Sequence, residues 1–485
     1  MTVIETSSLG DRSYLATDGD VAVVVDPQRD VDRVLALAGR LGVRITHVVE
    51  THLHNDYVSG GLELARLTGA RYGVAAADRP AFEHVPLADG DALEVSPQLR
   101  LRALATPGHT FHHLSFVLES HSGVEGVFTG GSLLFGTTGR TDLLGEQHAD
   151  SLARRQHTSA RRLADSLPGG AAIWPTHGFG SFCSATQSSG DSSTLDHERQ
   201  VNPALRLAED EFVTQTLAGL DAYPAYYAHM GAINRAGPAP VDLRPPSLAD
   251  AKELRARLEA GEWVVDLRHR TAFATAHLAG TISLGLDGSM ATWLGWLVDR
   301  GAPVSLVGES LEQVSHAQRE LVRIGIDRMA AAAAGTPDEL MTDSSQRRSM
   351  TTVSFADLAA AMRGDRPAPD VILDVRLGNE WRDSHLEGAV HVPLPELAHR
   401  VDEIPPGTIW VHCGSGYRAA AAASLLARAG REAVLIDDAF ASTEGAGVPL
   451  ATCDRRPARG GGRGHPDRAS PRGPEGGATW LNVAH

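Results

Sequence analysis

The stretch ITHVVETHLHNDY, residues 45 to 57, decides the fold of the first part of the chain. Its apolar half, Ile45 to Glu50, predicts a buried strand that runs directly into His52, His54 and Asp56. Side chains that follow the carboxyl end of a strand are where α/β folds hold ligands. Histidines at positions i and i+2 can converge on one cation, so the stretch predicts a metal site.

Neighbouring segments extend the same α/β pattern. Val21 to Val25 predicts another buried strand, and Val31 to Leu41 and Gly60 to Thr68 predict helices. Two later motifs, TPGHT at residues 106–110 and PTHG at 175–178, bring His109 and His177 from separate loops. A lone histidine is usually structural, but histidines grouped in this way predict metal binding.

Residues 1–235 resemble the metallo-β-lactamase fold. The motifs GRTD at 139–142 and YPAYYAHM at 223–230 make them similar to the persulfide dioxygenase and glyoxalase II branch. The resemblance implies an αββα fold and a mononuclear iron that oxidises glutathione persulfide with oxygen. It also implies roles for residues of this chain: the first-site metal ligands His52, His54 and His109, the second-site or supporting residues Asp56 and His177, and the substrate- or loop-positioning pair Arg140 and Asp142.

Two positions depart from the family pattern. Tyr57 stands where the family has a second-site histidine, and Gly131 stands where it has a ligating aspartate. A dinuclear thioester hydrolase is therefore disfavoured, although it stays an alternative. Three neutral imidazoles can still hold one divalent metal, for which we expect iron rather than zinc. The other alternative is a metal-poor domain that only binds persulfides beside a working C-terminal domain.

The second half of the chain contains an internal repeat with a period of about 108 residues. VVDLR at 264–268 and ILDVR at 372–376 predict equivalent buried strands, and HLAGTI at 277–282 matches HLEGAV at 385–390. Helices are predicted before them, at Ser247 to Leu258 and Ser354 to Met362. A repeat of this length is typical of tandem domains, here 247–345 and 351–450, after a linker at 235–246. The tail, 454–485, is rich in Gly, Arg and Pro and predicts disorder.

The loop HCGSGYR, residues 412–418, lies between a predicted strand, Thr408 to Val411, and a predicted helix, Ala419 to Ala429. It therefore places the Cys413 thiol at a helix N-terminus, where the dipole and Arg418 favour the thiolate. The amides that would cradle a persulfide there belong to Gly414, Ser415, Gly416 and Tyr417. Cysteine phosphatases have five residues between Cys and Arg, whereas this loop has four, which suits a sulfur atom better than a phosphate.

The segment 351–450 resembles the rhodanese family, which implies transfer of sulfane sulfur from thiosulfate through a Cys413 persulfide. The first repeat has VSLVGES, residues 304–310, at the equivalent place and lacks the cysteine. In tandem rhodaneses such a domain usually walls the active cleft of its partner. We therefore expect an α/β multidomain protein of hydrogen sulfide metabolism: a metallo-β-lactamase fold followed by two rhodanese-like domains.

Composition limits the remaining possibilities. A length of 485 residues suggests about three domains, and a formal net charge of −16 argues against nucleic acid as a partner. The chain has no apolar run of membrane-spanning length and its first residues lack signal-peptide features, so we expect a cytoplasmic protein. Of its three cysteines, Cys183 is expected to be a core thiol or a sulfur acceptor near the metal, and Cys453 to be incidental. The oligomeric state stays open.

Overall fold

The computed structural model of the protein describes residues 1–186 and 190–452. Cys453 and the tail 454–485, which was predicted to be disordered, lie outside these ranges. The described chain forms an N-terminal domain (residues 1–236), a middle segment (247–348) and a C-terminal domain (351–451). Within the described ranges, the helices are too short or too polar to cross a membrane.

The N-terminal domain is built on two sheets. In spatial order, the strands of the first sheet are Thr2–Thr6, Asp11–Thr17, Val21–Val25, Arg44–Val49, Arg71–Ala75 and Val85–Leu87. Those of the second sheet are Ser193–Thr194, Ala172–Pro175, Gly123–Gly130, Leu114–Ser120, Leu99–Ala105 and Ala92–Ser96. The α-helices are Asp32–Leu41, Gly61–Thr68, Glu146–Ser166, Leu195–Val201, Pro203–Arg206, Glu209–Gly219 and Tyr227–Ala236.

The two sheets pack face to face because each has an apolar face. Tyr14 of the first sheet and Phe116 and Phe128 of the second share one core and are at most 1% exposed. Helix Asp32–Leu41 covers the outer face of the first sheet, and helix Glu146–Ser166 covers that of the second. This layering confirms the αββα arrangement predicted from the sequence, and the predicted early strands and helices lie within one residue of their observed bounds.

The other two parts each contain a parallel sheet. In spatial order, the middle sheet consists of Ile282–Ser283, Trp263–Asp266, Val304–Gly308 and Ala331–Ala334, with the helices Ala251–Glu259, Arg270–Thr275, Met290–Leu297 and Leu311–Arg323. The C-terminal sheet consists of Thr352–Val353, Ala433–Ile436, Ile409–His412, Val371–Asp374 and Val390–His391, with the helices Phe355–Met362, Gly378–Asp383, Leu397–Arg400, Tyr417–Arg428 and Ser442–Ala446. Small ladders pair His277–Leu278 with Arg347–Arg348, and His385–Leu386 with Leu450–Ala451; 3-10 turns lie at Ala76–Asp78, Ser344–Gln346, Leu394–Glu396 and Val401–Glu403.

Four strands have the same order in the two parallel sheets, and the C-terminal sheet has a fifth strand at one edge. A central strand of each ends in a buried aspartate that forms an ion pair with the arginine two residues later. The N–O distance is 2.6 Å both in Asp266–Arg268 and in Asp374–Arg376. Each arginine also donates to a carbonyl eight residues further along, which fixes the turn after the strand.

One predicted helix start was wrong. The helix placed at Ser247 to Leu258 begins at Ala251 instead. The residues before it pair with the middle sheet: the amide of Ala332 donates to the carbonyl of Ser247, and the amide of Ala249 donates to that of Ala332, both over 2.8 Å. The partner strand lies some 80 residues away in sequence, so local periodicity could not predict this pairing.

A single apolar cluster joins the three parts of the chain. It contains Tyr226 of the N-terminal domain, Leu294 of the middle segment and Ala420 of the C-terminal domain, together with both described thiols, Cys183 and Cys413. Polar contacts reinforce it. Asp30 Oδ2 lies 2.7 Å from the guanidinium of Arg323 in a buried ion pair between the N-terminal domain and the middle segment.

Candidate metal centre and thiol site

Four histidines lie together where strands of the two N-terminal sheets end. They are at most 1% exposed: His52, His54, His109 and His177. The ring centre of His52 lies 4.1 Å from that of His54, 4.8 Å from that of His109 and 5.3 Å from that of His177. The structure therefore brings together all the imidazoles that the sequence motifs single out.

His54 is surrounded by oxygen atoms. Its Nε2 lies 3.1 Å from Glu50 Oε2, 3.3 Å from Asp26 Oδ1 and 3.0 Å from the hydroxyl of Tyr57. Burial alone would lower the pKa of His54, but Asp26 and Glu50 raise it to about 9. Tyr57, which replaces a histidine of the family pattern, thus binds the neighbouring imidazole through its hydroxyl.

His177 lies between two carboxylates. Its Nδ1 is 2.9 Å from Asp11 Oδ1 and 3.2 Å from Asp56 Oδ2, and its Nε2 is 3.3 Å from His52 Nε2. Burial alone would lower the pKa of His177, but Asp56 and Asp11 raise it to about 10. Burial and the charge of Asp56 raise the pKa of Asp11 to about 8, whereas His177 overcomes burial and lowers the pKa of Asp56.

His52 and His109 are the neutral histidines of the group. Burial lowers the pKa of His52 well below its usual value and that of His109 to about 3. His109 Nδ1 lies 2.8 Å from the carbonyl oxygen of Arg140, to which it donates, and this contact leaves Nε2 without a hydrogen-bond partner. A neutral imidazole held through one nitrogen, with the other free, is the form that ligates metals.

The donor atoms fit a divalent metal ion. Ligand atoms of His52, His54 and His177 lie within 4.8 Å of one another. Three further groups meet this spacing: His109, His177 and Cys183; Asp11, Asp56 and His177; and Asp26, Glu50 and His54. The buried atoms His54 Nδ1 and His109 Nε2 have no hydrogen-bond partner, which is costly unless a cation occupies the site. His177 therefore joins the predicted ligands His52 and His54 in one compact group, and the predicted triple with His109 stays a prediction.

At Gly131, where the family has a ligating aspartate, the ring of His109 fills the space that a side chain would need. A Cβ atom built on Gly131 would lie 2.5 Å from His109 Cγ, because the imidazole ring fills that space. Gly139 lies against the same ring, and a Cβ there would come within 2.6 Å of His109 Nδ1. A carboxylate at position 131 therefore does not fit while His109 keeps its place.

Arg140 and Asp142 form a buried ion pair. Arg140 Nε lies 2.7 Å from Asp142 Oδ1, and the guanidinium also donates to the carbonyl of Asp221 over 2.6 Å. Because the Arg140 carbonyl accepts from His109, the pair fixes the loop that orients this imidazole. This geometry favours the loop-positioning role over direct contact with substrate.

Several residues of this centre were not predicted from the sequence: Asp11, Asp26, Glu50 and His113. The ring of His113 stacks on that of His52 at 5.0 Å, and its Nε2 accepts from the amide of Gly131 over 3.1 Å. His113 follows His109 by four residues, which is a local signal that could have drawn attention to it. Cys183 is fully buried, and burial raises the pKa of its thiol, as expected of a core cysteine.

The Cys413 loop lies between strand Ile409–His412 and helix Tyr417–Arg428, in the predicted order, although the helix begins two residues before its predicted start at Ala419. The thiol is 1% exposed, and its sulfur accepts a hydrogen bond from the amide of Gly416 over 3.2 Å. Gly416 has a φ of +92°, a conformation that side chains disfavour. The loop thus turns at least one backbone donor towards the sulfur.

Arg418 is bound by a carboxylate. Its guanidinium lies 2.5 Å from Glu380 Oε2 and 2.7 Å from Glu380 Oε1. Burial alone would raise the pKa of Glu380, but Arg418 holds it below its usual value. The positive charge that was predicted to favour the Cys413 thiolate is therefore shared with Glu380.

The middle segment forms part of the wall around this loop. The hydroxyl of Tyr417 donates to the carbonyl of Gly285 over 2.8 Å, and Gly288 lies so close to the tyrosine ring that a Cβ would come within 2.5 Å of it. A cavity of about 1010 Å³ adjoins the site and is lined from all three parts of the chain, among others by Arg140, Trp293 and Arg418.

Comparison with known proteins gives matches at both ends of the chain. The sequence model of the metallo-beta-lactamase superfamily matches residues 11–177, and that of the rhodanese-like domain matches residues 354–444. The persulfide dioxygenase ETHE1, mitochondrial, of Homo sapiens is 32% identical over 209 residues, which is 43% of this chain and 74% of that protein. The hydroxyacylglutathione hydrolase of Ectopseudomonas mendocina (strain ymp) is 33% identical over 157 residues, 32% of this chain and 56% of that protein.

A solved structure gives a match over a larger share of the chain. The crystal structure of a metallo-beta-lactamase from Staphylococcus aureus subsp. aureus COL covers 69% of this chain and 98% of that chain, with a TM-score of 0.60 and 26% identity. Such a match extends beyond the N-terminal domain, so part of the similarity lies in the segments that follow it.

Proposed function

This chain belongs to the persulfide dioxygenase family through its N-terminal domain, and we propose that its metal centre oxidises a low-molecular-weight thiol persulfide such as glutathione persulfide. In the balanced reaction, the persulfide, O2 and one water give the thiol and sulfite. We also propose that the rhodanese-like domain, which matches at residues 354–444, adds sulfur transfer as a second activity.

The observation that carries the oxidation proposal is the buried group of imidazoles with unpartnered nitrogens, next to carboxylates. Mixed histidine and carboxylate sites with open positions are typical of non-haem iron oxygenases. Ferrous iron, when bound, would supply the one-electron chemistry that O2 requires. The chain itself contributes neutral His52 and His109 as ligands, burial that excludes bulk water, and the Arg140–Asp142 pair that orients His109.

For the C-terminal site, we propose that Cys413 carries sulfane sulfur. The Cys413 thiolate attacks the outer sulfur of thiosulfate, a new S–S bond forms, and sulfite leaves with the electron pair of the broken bond. A thiolate or cyanide acceptor then takes the outer sulfur and restores the Cys413 thiolate. The amide of Gly416 is in place to stabilise negative charge on sulfur. The middle segment packs against the loop and has no cysteine of its own.

The two sites handle related compounds, since a persulfide formed by transfer from Cys413 to glutathione is the proposed substrate of the metal centre. The test is oxygen uptake by the iron-loaded full chain with glutathione persulfide. We expect uptake that is lost in His52→Ala and retained in Cys413→Ser, while thiosulfate-to-cyanide transfer shows the reverse pattern. If the iron-loaded chain consumes no oxygen, the dioxygenase proposal is wrong.

One alternative is favoured by a specific observation: the carboxylate position of the family is Gly131, and the ring of His109 closes it. In that case the N-terminal domain would bind persulfides without oxidising them, and only Cys413 would turn over. Absence of metal from the purified chain, combined with full sulfur transfer, would identify this alternative. A thioester hydrolase is tested separately by cleavage of S-lactoylglutathione.

A further inference from the structure

Asp11 is a buried carboxylate that sequence motifs did not single out. It is the first residue of strand Asp11–Thr17 and is 1% exposed. Its Oδ1 lies 2.9 Å from His177 Nδ1, whereas its Oδ2 has no hydrogen-bond partner. An unpaired carboxylate oxygen in a closed site is expensive, since burial removes the water that would otherwise solvate it.

A second carboxylate meets the same imidazole nitrogen. Asp56 Oδ2 lies 3.2 Å from His177 Nδ1, and Asp56 Oδ1 is buried without a hydrogen-bond partner. Ligand atoms of Asp11, Asp56 and His177 lie within 4.8 Å of one another. Two carboxylates around one nitrogen form a set of hard and borderline donors that suits a divalent cation such as Fe²⁺ or Mn²⁺.

The site also explains how a metal could be held without the carboxylate at position 131. The His109 ring occupies the space that a side chain there would need. Asp11 contacts Nδ1 of His177, and the other nitrogen of this ring lies 3.3 Å from His52 Nε2. Asp11, on the first sheet, could therefore replace the carboxylate that the family has at position 131, next to the second sheet.

We propose that Asp11 supplies the carboxylate ligand of the N-terminal metal centre, together with Asp56 and His177. The inference rests on the proposed function only in that a divalent metal is bound; it does not require that the metal turns over oxygen. The competing explanation is that Asp11 merely holds the His177 ring in place through a hydrogen bond.

The test measures metal binding rather than activity. The full-length chain, stripped of metal, is titrated with Mn²⁺ and followed by electron paramagnetic resonance and calorimetry. Asp11→Asn keeps the shape of the side chain and can still accept the hydrogen bond from His177. We expect it to weaken Mn²⁺ binding by about 10-fold or more, because a neutral amide oxygen replaces a charged carboxylate donor. Asp11→Glu keeps the oxygen donors and should bind Mn²⁺ more tightly than Asp11→Asn. Asp11→Asn binding within twofold of the parent would overturn the proposal.

Matched measurements separate ligation from folding. Asp30→Asn makes the same chemical change at a buried carboxylate that binds Arg323 outside the centre, and it should leave Mn²⁺ affinity unchanged. Sulfur transfer by Cys413 reports whether each variant is folded. If Asp11→Asn does not fold, Asp11→Glu decides: an affinity equal to that of His52→Ala contradicts the proposal, and a clearly higher one supports it. Asp11-dependent metal binding without oxygen uptake would overturn the dioxygenase proposal and leave this inference standing.

Discussion

The backbone amide of Gly416 donates to the sulfur of Cys413 over 3.2 Å. The geometry depends on glycine for two reasons. Its φ of +92° disfavours a side chain, and a Cβ at this position would collide with Oδ1 of Asp437. Asp437 is itself bound to Arg270 of the middle segment, with an N–O distance of 2.6 Å, so it cannot move away freely.

We therefore predict that Gly416→Ala lowers thiosulfate-to-cyanide transfer by about 100-fold, because the donor moves away from the sulfur. Gly414→Ala is the matched control. A Cβ there would lie 3.1 Å from a terminal nitrogen of Arg418, a much milder overlap than the one at Gly416, so we expect a much smaller loss. Steady-state rates of both variants check the prediction, and equal losses would contradict the role given to the Gly416 amide.

The buried imidazole of His412 predicts how stability depends on pH. Burial lowers the pKa of His412 to about 4, below its usual value near 6.5. The unfolded chain therefore binds a proton between pH 6.5 and 4 that the folded chain does not. The contribution of His412 to stability is fully present above pH 6.5 and falls as the pH drops towards 4, by about 3 kcal/mol in total.

His412→Phe should weaken this dependence, since the ring already packs between Phe355 and Phe440. Urea unfolding at pH 7 and pH 5 measures the effect. We expect the parent to lose about 2 kcal/mol more than the variant between these two pH values. An identical pH dependence in both proteins would refute the assignment to His412.

The ion pairs between the N-terminal domain and the middle segment differ in burial. Asp30 is fully buried against Arg323, whereas Asp32, 57% exposed, lies 2.6 Å from Arg319 on the surface. We predict that Asp30→Ala costs about 3–5 kcal/mol of unfolding free energy, because it leaves a buried guanidinium unpaired. Asp32→Ala should cost at most about 1 kcal/mol. Denaturant midpoints measure both, and similar costs would argue against a structural role for the buried pair.

The contact between Gly131 and His109 predicts a steric effect. Gly131→Ala places a methyl group 2.5 Å from His109 Cγ, so we expect a loss of about 1–3 kcal/mol and a lower metal content. Gly39→Ala, in helix Asp32–Leu41, has free space around its Cβ and should be neutral or slightly stabilising. Thermal unfolding and elemental analysis test the pair. A Gly131→Ala protein with unchanged stability and metal content would show that the ring can move aside.

Local sequence signals were sufficient for some features and not for others. The Cys413 loop and the histidine loops follow from motifs and hydrophobic periodicity within short windows, whereas the αββα layers were implied by the family resemblance. Asp11 could not be predicted in this way because its partner, His177, is 166 residues away in sequence. The early start assigned to the helix at Ala251 failed for the same reason, since residues 247–249 pair with a distant strand.

The apolar cluster shared by Tyr226, Leu294 and Ala420 affects how the protein unfolds on heating. A core that runs through all three parts of the chain couples their unfolding, because melting any one of them exposes apolar surface on the other two. The metal centre and the Cys413 loop therefore have a common thermal lifetime.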